Sequence, residues 1–415
     1  MAQDPLVKAL QQYKSNNGKA LRIGLVNTGG TFTCIENEQG LLNPVQTREE
    51  LDQLLYEGLY LGIYRDLGLL EFTVIHHGPM DSSQMTDVDR TKFATEMGLA
   101  YSSVDGFIVI HGTDSAEKTA KYLTFACPYF DPIALWEEDK NVFNWRKPNL
   151  IVSSQLPALT QNGSRFVPKL NSDAPMNISV ALMLIAEGKV GEPGLLTNNT
   201  DIVIGSASMK GAEISIPPYM TDPAVGPVAV YTASGLRYPT ENFLPANIGR
   251  QQKMVPRVIT CSVPFSQTKV LPVQDQTHLS LVSLYLNATE LHAHIKTLKR
   301  KVKPLLPEII LYESAGAGNV AQADYAILKA IQQEGIAVFR VPIPGGRIPD
   351  QHMYNVPGAD ITPLNMQLRA AQYKAQAVLN LVYTTDYYKV PKDKKADFIY
   401  KLMTKPWGNE FLPKR

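Results

Sequence analysis

The sequence predicts two α/β domains, with the larger one at the N-terminus. In both halves of the 415-residue chain, short apolar runs typical of buried strands alternate with segments whose apolar residues recur at helical spacing. Such alternation favours parallel strands joined by crossover helices. A stretch rich in Pro, Gly and Asn separates the two alternating blocks. We therefore expect an N-terminal catalytic domain over 1–245, a linker or hairpin region over 246–275 and a C-terminal domain over 276–415.

The first block alternates strand and helix from its start. Strands are predicted at Leu21–Asn27, Phe72–Ile75, Gly106–Ile110, Asn149–Ser154 and Pro193–Asn198. Helices are predicted at 49–65, 86–101, 116–126 and 176–188. The second of these helices opens with Thr86 and Asp89, which fit a capping box, and then repeats an apolar residue every four positions.

The second block is shorter and follows the same rhythm. Its predicted strands are Leu279–Leu286, Glu308–Ser314 and Ile336–Pro342, and its predicted helices are 287–302, 323–335 and 363–382. Two stretches of the first block, 127–148 and 158–171, are long for connections in a compact domain. Their aromatic residues favour an ordered wall of a site, or a contact between subunits, over disorder.

Composition excludes several classes of function. The formal net charge is +1, so no electrostatic argument favours nucleic acid or an anionic membrane as a partner. Three cysteines, Cys34, Cys127 and Cys261, occur without a CxxC pair, which is typical of a reducing compartment and argues against disulfides or zinc. The sequence has neither the pattern of a secretory signal nor an apolar stretch long enough to span a membrane. We therefore expect a cytoplasmic protein.

The segment Val26–Phe32, VNTGGTF, follows the first predicted strand. It matches neither a dinucleotide-binding nor a phosphate-binding glycine motif. Its two glycines instead predict a tight turn at the carboxyl end of a strand, which is where ligands bind in open α/β sheets. Thr31 would project a hydroxyl into that crevice, or would simply bond the turn backbone.

A second threonine follows a second strand in the segment GFIVIHGTDS. Thr113 and Asp114 lie where the strand ends and a helix is expected to begin. Asp114 could be only a helix cap, and Thr113 only a turn residue. A threonine hydroxyl becomes a nucleophile when a base takes its proton, and a buried lysine beside an acid can serve as that base.

The motifs TGGTF, MDSSQM, HGTDS, SDAPMN and TNNTDIVIGSASMK, in this order, resemble the bacterial-type L-asparaginase/glutaminase family, specifically its cytoplasmic type I-like members. The resemblance continues in the second block through AGAGNVAQADYAILKAIQQEGIAVFRV. It implies a flavodoxin-like N-terminal domain with a parallel-rich sheet and a smaller Rossmann-like C-terminal domain. It also implies hydrolysis of a side-chain amide without a metal or other cofactor, with L-asparagine as the small-molecule substrate.

The resemblance also assigns residues. Thr31, Thr113, Asp114 and Lys210 match the catalytic positions of the family, and Ser82, with Ser83 beside it, matches its substrate-binding serine. Gly30 and Gly112 belong to the turns whose N–H groups would stabilise an oxyanion. Asn319 resembles the asparagine that the family contributes to a neighbouring subunit's site, which implies a homodimer or homotetramer. Taken singly, Lys210 reads as a surface lysine and His111 as a packed, hydrogen-bonded histidine.

One departure from the family stands out. The family usually has a tyrosine in the loop after TGGT, whereas this loop reads CIENEQGLLNPVQ, with Leu41 after EQG. Another hydroxyl, or a tyrosine from 127–148, would have to fill that space. The alternatives are a catalytically attenuated amino-acid-binding protein and an amidase acting on glutamine or another amide. The amidase subunit of a tRNA-dependent amidotransferase is less favoured, because the charge is near neutral.

Overall fold

A computed structural model gives the fold. It describes residues 4–128, 145–163, 165–211, 217–222, 225–239, 308–314, 320, 322–342, 360–384 and 394–407. Within these residues one compact unit takes 4–239 together with Trp407, and a second takes 308–406. The predicted linker 246–275, strand 279–286 and helix 287–302 lie outside the described residues.

An eight-stranded sheet forms the centre of the first unit. Five of its strands are parallel and lie side by side in the order β4-β1-β5-β6-β9. These strands are β1 Leu21–Asn27, β4 Leu70–His77, β5 Gly106–Ile110, β6 Asn149–Val152 and β9 Leu195–Asn198. Numbered along the chain, this is the order 2-1-3-4-5 of flavodoxin-like sheets. The predicted parallel-rich α/β fold is confirmed, and its topological switch point lies between β1 and β5.

Three antiparallel strands extend the sheet beyond β9. They are β10 Asp201–Ile204, β13 Ala229–Thr232 and β14 Gly235–Arg237. The helices of this unit are α1 Pro5–Asn17, α2 Arg48–Gln53, α3 Gly62–Asp66, α4 Asp87–Ala100, α5 Ala116–Ala126 and α6 Ala174–Glu187. All five residues of β5 are buried, as its unbroken apolar run predicts for a central parallel strand. The predicted capping box of α4 is present between Thr86 and Asp89.

The helix predicted over 49–65 is broken. A π-helical turn over Leu54–Gly58 separates α2 from α3, and Tyr60 between them has a φ of +57°. Ile63, which an unbroken helix would place on the same face as Leu55 and Leu59, is exposed. A Cβ at Gly58 would lie 2.3 Å from Cδ2 of Leu159, so the π-helical turn packs closely against a distant segment, a contact that helical spacing could not reveal.

That segment is the predicted insertion 158–171, which forms a hairpin of β7 Leu159–Asn162 and β8 Arg165–Pro168. β7 pairs in parallel with β2 Cys34–Glu36, and β2 pairs on its other side with β3 Leu42–Pro44. The insertion therefore completes a four-stranded sheet, β3-β2-β7-β8, around the chain that follows TGGTF. Of the other insertion, 127–148, only its ends lie in the described residues.

A two-stranded sheet of β11 Ser208–Lys210 and β12 Tyr219–Thr221 completes the first unit. The second unit contains the parallel strands β15 Ile309–Ser314, β16 Ala337–Pro342 and β17 Thr362–Pro363. Helix α7 Gln322–Gln333 connects the first two of these strands, and α8 Leu368–Thr384 and α9 Lys395–Thr404 follow. No described helix is long and apolar enough to cross a membrane.

Candidate active site

The first turn of the site follows β1 and contains Gly29, Gly30 and Thr31. Both glycines have positive φ, +92° and +87°, a region that favours glycine. The buried side chain of Asn27 accepts a hydrogen bond from the N–H of Gly29 at 2.9 Å. Its amide nitrogen lies 3.1 Å from Nδ1 of His77, whose Nε2 is 2.7 Å from the carbonyl oxygen of Gln46. Thr31 is partly exposed and begins a short 3-10 turn.

The second turn follows β5 and contains Gly112, Thr113 and Asp114. It is more deeply buried than the first, since His111 is inaccessible and Thr113 is 9% exposed. Asp114 is not a helix cap, because α5 begins after Ser115 and no side chain caps it. The hydroxyl of Ser115 instead donates to the carbonyl oxygen of Ser82 at 2.5 Å.

The two turns touch through their glycines. A Cβ built on Gly30 would lie 2.3 Å from Cα of Gly112 and 2.4 Å from its nitrogen. No side chain fits at position 30, so the two backbones can approach this closely because residue 30 is a glycine. Each glycine directly precedes a threonine, so this contact brings the Thr31 and Thr113 segments together at the switch point of the sheet.

The MDSSQM segment lies against both turns. The N–H of Met80 donates to the carbonyl oxygen of Thr28, and a Cβ on Gly112 would lie 2.4 Å from Oγ of Ser82. Ser82 is therefore buried beside the second turn, whereas its neighbour Ser83 is exposed and donates its N–H to Asp81. The structure places Ser82 at the site and leaves Ser83 on the surface.

Lys210 reaches the second turn from strand β11. Its Nζ lies 2.6 Å from Oδ1 of Asp114. Its side chain is 14% exposed and that of Asp114 is 50% exposed, so the lysine is mostly buried and its acidic partner faces solvent. The lysine is thus largely but not completely buried, at the end of a short strand outside the main sheet.

Two buried contacts that the sequence did not suggest hold the end of β11. Lys121, on α5, forms an ion pair with Glu117 and donates to the carbonyl oxygen of Ser208 at 2.5 Å. Across the strand pair, Tyr219 is the partner of Lys210. Its hydroxyl lies 3.0 Å from Oγ of Ser153 and 3.4 Å from the carbonyl oxygen of Thr113. Burial raises the pKa of Tyr219, so this hydroxyl stays protonated.

The loop that lacks the family's tyrosine forms the β2–β3 hairpin, with Leu41 64% exposed at its tip. Among the described residues, Tyr219 supplies a phenol at the second turn rather than the first. It lies 106 positions from Thr113, and no local motif connects the two residues. Asn319 lies outside the described residues.

Several polar groups at the two turns have no partner in the described part of the chain. They are the side-chain hydroxyls and the backbone N–H groups of both Thr31 and Thr113. Unpaired donors beside hydroxyls that have no partner are what an acyl-transfer site needs, because the donors can stabilise charge that develops on a substrate oxygen. The described residues contain no cluster of His, Cys, Asp or Glu arranged to hold a metal ion.

Fold and site together define a class: a flavodoxin-like α/β protein with two threonine-bearing turns joined at its switch point. Comparison with known proteins shows what the chain is similar to. The sequence model described as Asparaginase, N-terminal, matches residues 22–135, which contain both turns and the MDSSQM segment. The family resemblance of the motifs is therefore confirmed, and residues 22–135 are similar to the N-terminal domain of asparaginases.

Relatives and solved structures agree with that assignment. L-asparaginase 1 of Escherichia coli strain K12 is 29% identical over 172 residues, which are 41% of this chain and 42% of that protein. The match thus spans less than half the length of this relative. L-asparaginase I from Vibrio cholerae superposes with a TM-score of 0.64 at 19% identity, over 94% of this chain and 99% of that one. The thermostable L-asparaginase from Thermococcus kodakarensis gives 0.62 at 16% identity, over 95% and 100%. At such identities the two structures show a shared fold.

Proposed function

We propose that this protein is an amidohydrolase that converts L-asparagine into L-aspartate and ammonia. The observation that carries the proposal is the contact between Gly30 and Gly112, which joins two threonine-bearing turns beside the Lys210–Asp114 pair. The names of the similar proteins support asparagine as the substrate.

The proposed reaction uses Thr31 as the primary nucleophile. Its Oγ1 bonds to the side-chain amide carbon, the C–N bond breaks, and the hydroxyl proton leaves on ammonia. Water then hydrolyses the ester, which releases aspartate and returns a proton to Oγ1. Thr113, with Lys210 and Asp114, is the activating set in this scheme; the alternative is that Thr113 acts as a second nucleophile.

The exposed carboxylate of Asp114 suggests how Lys210 becomes a base. At 2.6 Å the carboxylate favours the charged ammonium, which has no lone pair to accept a proton. Asp114 is half exposed, so it can turn towards the ammonium group of an amino-acid substrate. Substrate binding would then weaken its hold on Lys210 and favour loss of the lysine proton. In this scheme Ser82 and nearby N–H groups bind the substrate carboxylate.

Ammonia release from millimolar asparagine and glutamine tests the proposal. We expect release by the wild-type protein, and a loss of at least about a thousandfold in Thr31→Ala and in Thr113→Ala. Thr95→Ala is a matched control, because the Thr95 hydroxyl is exposed and bonds only its own helix. Wild-type release no faster than that of the two alanine variants would defeat the proposal. Release from glutamine but not from asparagine would show that glutamine, the alternative amide, is the substrate.

The tyrosine-free hairpin, with Leu41 at its tip, favours one second candidate: an attenuated protein that binds an amino acid without turning it over. Calorimetry with L-asparagine and L-aspartate separates the two. Saturable binding without ammonia release supports the second candidate, and absence of binding removes it.

We further propose a cytoplasmic location, which the sparse cysteines support, and a homodimer or homotetramer, which the resemblance at Asn319 supports. Light scattering in solution tests the assembly, since a monomer would contradict it.

A further inference from the structure

The inaccessible imidazole of His111 lies at the base of the second turn, in a line of buried hydrogen bonds. Its Nδ1 is 2.7 Å from the carbonyl oxygen of Gly112, and its Nε2 is 2.7 Å from Oγ1 of Thr119 on α5. Nε of Arg90, on α4, is 2.9 Å from the same Oγ1. All three side chains are almost fully buried, so water does not compete for these bonds.

The chemistry of the two ends assigns most of the protons in this line. A carbonyl oxygen can only accept, so Nδ1 of His111 carries a hydrogen and donates it to Gly112. A guanidinium can only donate, so Oγ1 of Thr119 accepts from Arg90. The Thr119 proton has two acceptors in reach, Nε2 of His111 at 2.7 Å and the weaker thioether Sδ of Met85 at 3.7 Å, and the shorter contact favours Nε2. This assigns His111 as the neutral Nδ1–H tautomer. Burial, with Arg90 nearby, lowers the pKa of His111 to about 4, which agrees with a neutral ring.

We propose that the chain of bonds from Arg90 through Thr119 to His111 positions an oxyanion donor, by holding the Gly112 carbonyl in the interior and so turning the Thr113 N–H away from it. The role as an oxyanion donor rests on the proposed amidase function. A trans peptide is planar, so its C=O and N–H point in opposite directions. The Thr113 N–H has no acceptor in the described part of the chain, as a donor kept for a ligand requires.

The peptide between Gly112 and Thr113, in the second turn, needs such a support to keep its orientation. Gly112 has no side chain to fix its peptide plane, and a flipped peptide would present an oxygen where a donor is needed. Loss of one oxyanion donor lowers turnover by about 10²–10³. His111, Thr119 and Arg90 are thus positioning residues, because none of them need contact the substrate.

The first test compares two threonines of the same helix. Thr119→Val removes the link between Arg90 and His111, and Thr124→Val removes a buried hydroxyl that bonds only the carbonyl of Ala120. We expect Thr119→Val to lower kcat by about tenfold to a hundredfold with little change in KM, since an oxyanion donor acts in the transition state. Thr124→Val should keep its kcat, and Thr119→Ser should restore most of the loss. Equal kcat values for the two valine variants, or no rescue by serine, would overturn the proposal.

The second test does not depend on turnover. In the wild-type protein, the ¹⁵N shifts of His111 should show the hydrogen on Nδ1 from pH 5 to 8, and the Thr113 amide proton should shift when L-aspartate binds. A hydrogen on Nε2 would contradict the proposed chain of hydrogen bonds even if the enzyme is active. A protein that has the Nδ1 tautomer but releases no ammonia would instead support the chain of hydrogen bonds from Arg90 to His111 and contradict the amidase proposal.

Discussion

The two turns of the site are built in opposite ways. The turn at Thr113 is fixed from the interior, by His111 and by the hydroxyl of Tyr219. The turn at Thr31 is fixed from one side by Asn27, and the chain beyond it runs into a small sheet whose outer strand, β3, is exposed. One half of the site is therefore preorganised by the core, and the other half by an added surface layer.

This difference fits the roles proposed above for the two turns. Donors for a developing charge must be held rigidly, and buried hydrogen bonds hold the second turn. A nucleophile that must receive a substrate and release a product gains from a segment of lower local stability. Because the two turns touch at Gly30 and Gly112, the rigid second turn can set the position of the less stable first turn.

Gly30→Ala should have the largest effect, because it disrupts the contact between the two turns. The new Cβ would meet the backbone of Gly112 at 2.3 Å, and the φ of +87° would be strained for alanine. We expect a loss of unfolding free energy of about 2–4 kcal/mol and ammonia release near background. Thermal denaturation and the ammonia assay measure the two effects.

Gly40→Ala is the matched control for that substitution. Gly40 also has positive φ, +78°, but a Cβ there would meet nothing within 4 Å. It should cost only about 1 kcal/mol, with activity kept. Similar losses in both variants would mean that backbone strain matters and the contact between the turns does not.

The pH dependence of stability should report the buried second turn. His111 has a folded pKa of about 4, below its ordinary value, so between about pH 6.5 and 4 the unfolded chain binds a proton that the folded chain does not. The unfolding free energy should therefore fall by up to about 3 kcal/mol as the pH drops through this window, and be unaffected by His111 above it. Urea titrations of the wild type and His111→Gln measure this, and the variant should have the flatter profile. Parallel profiles would show that the ring is not shielded from protons.

The smallest expected effect concerns the support of the first turn. Lys169 pairs with Glu36 at 2.5 Å, joining the chain after β8 to β2, and both side chains are partly exposed. Lys169→Met should change the unfolding free energy by less than about 1 kcal/mol but speed amide hydrogen exchange at Ile35. Arg48→Met, which removes an exposed pair with Asp52, is the control and should leave Ile35 unchanged. Unchanged exchange in both variants would mean that the ion pair does not stabilise β2.

Sequence reasoning worked where local pattern carries the information. The bounds of β1, β5 and α5 agree with the structure, because apolar runs and turn residues define them locally. The pairing of the two threonine turns also followed, because carboxyl ends of parallel strands share one edge. The family resemblance, not the sheet, grouped Lys210 with Asp114, and their side chains lie 2.6 Å apart.

What the sequence could not show depends on contacts between distant segments. Tyr219, Thr119 and Arg90 look like ordinary strand and helix residues, and their roles appear only when β12, α5 and α4 meet the second turn. The 158–171 hairpin was missed for the same reason. Its strands are four residues each, and its pairing partner β2 lies more than a hundred positions earlier.

The added hairpin also has a consequence for solubility. Without β7, the strand that follows the Thr31 turn would present an unpaired backbone edge at Ile35, and bare edges of this kind recruit strands from other molecules. With the hairpin in place, the outer strands of the small sheet are β3 and β8, which end at Pro44 and Pro168. Proline cannot donate to a further strand, so these ends discourage growth of the sheet from one molecule to the next.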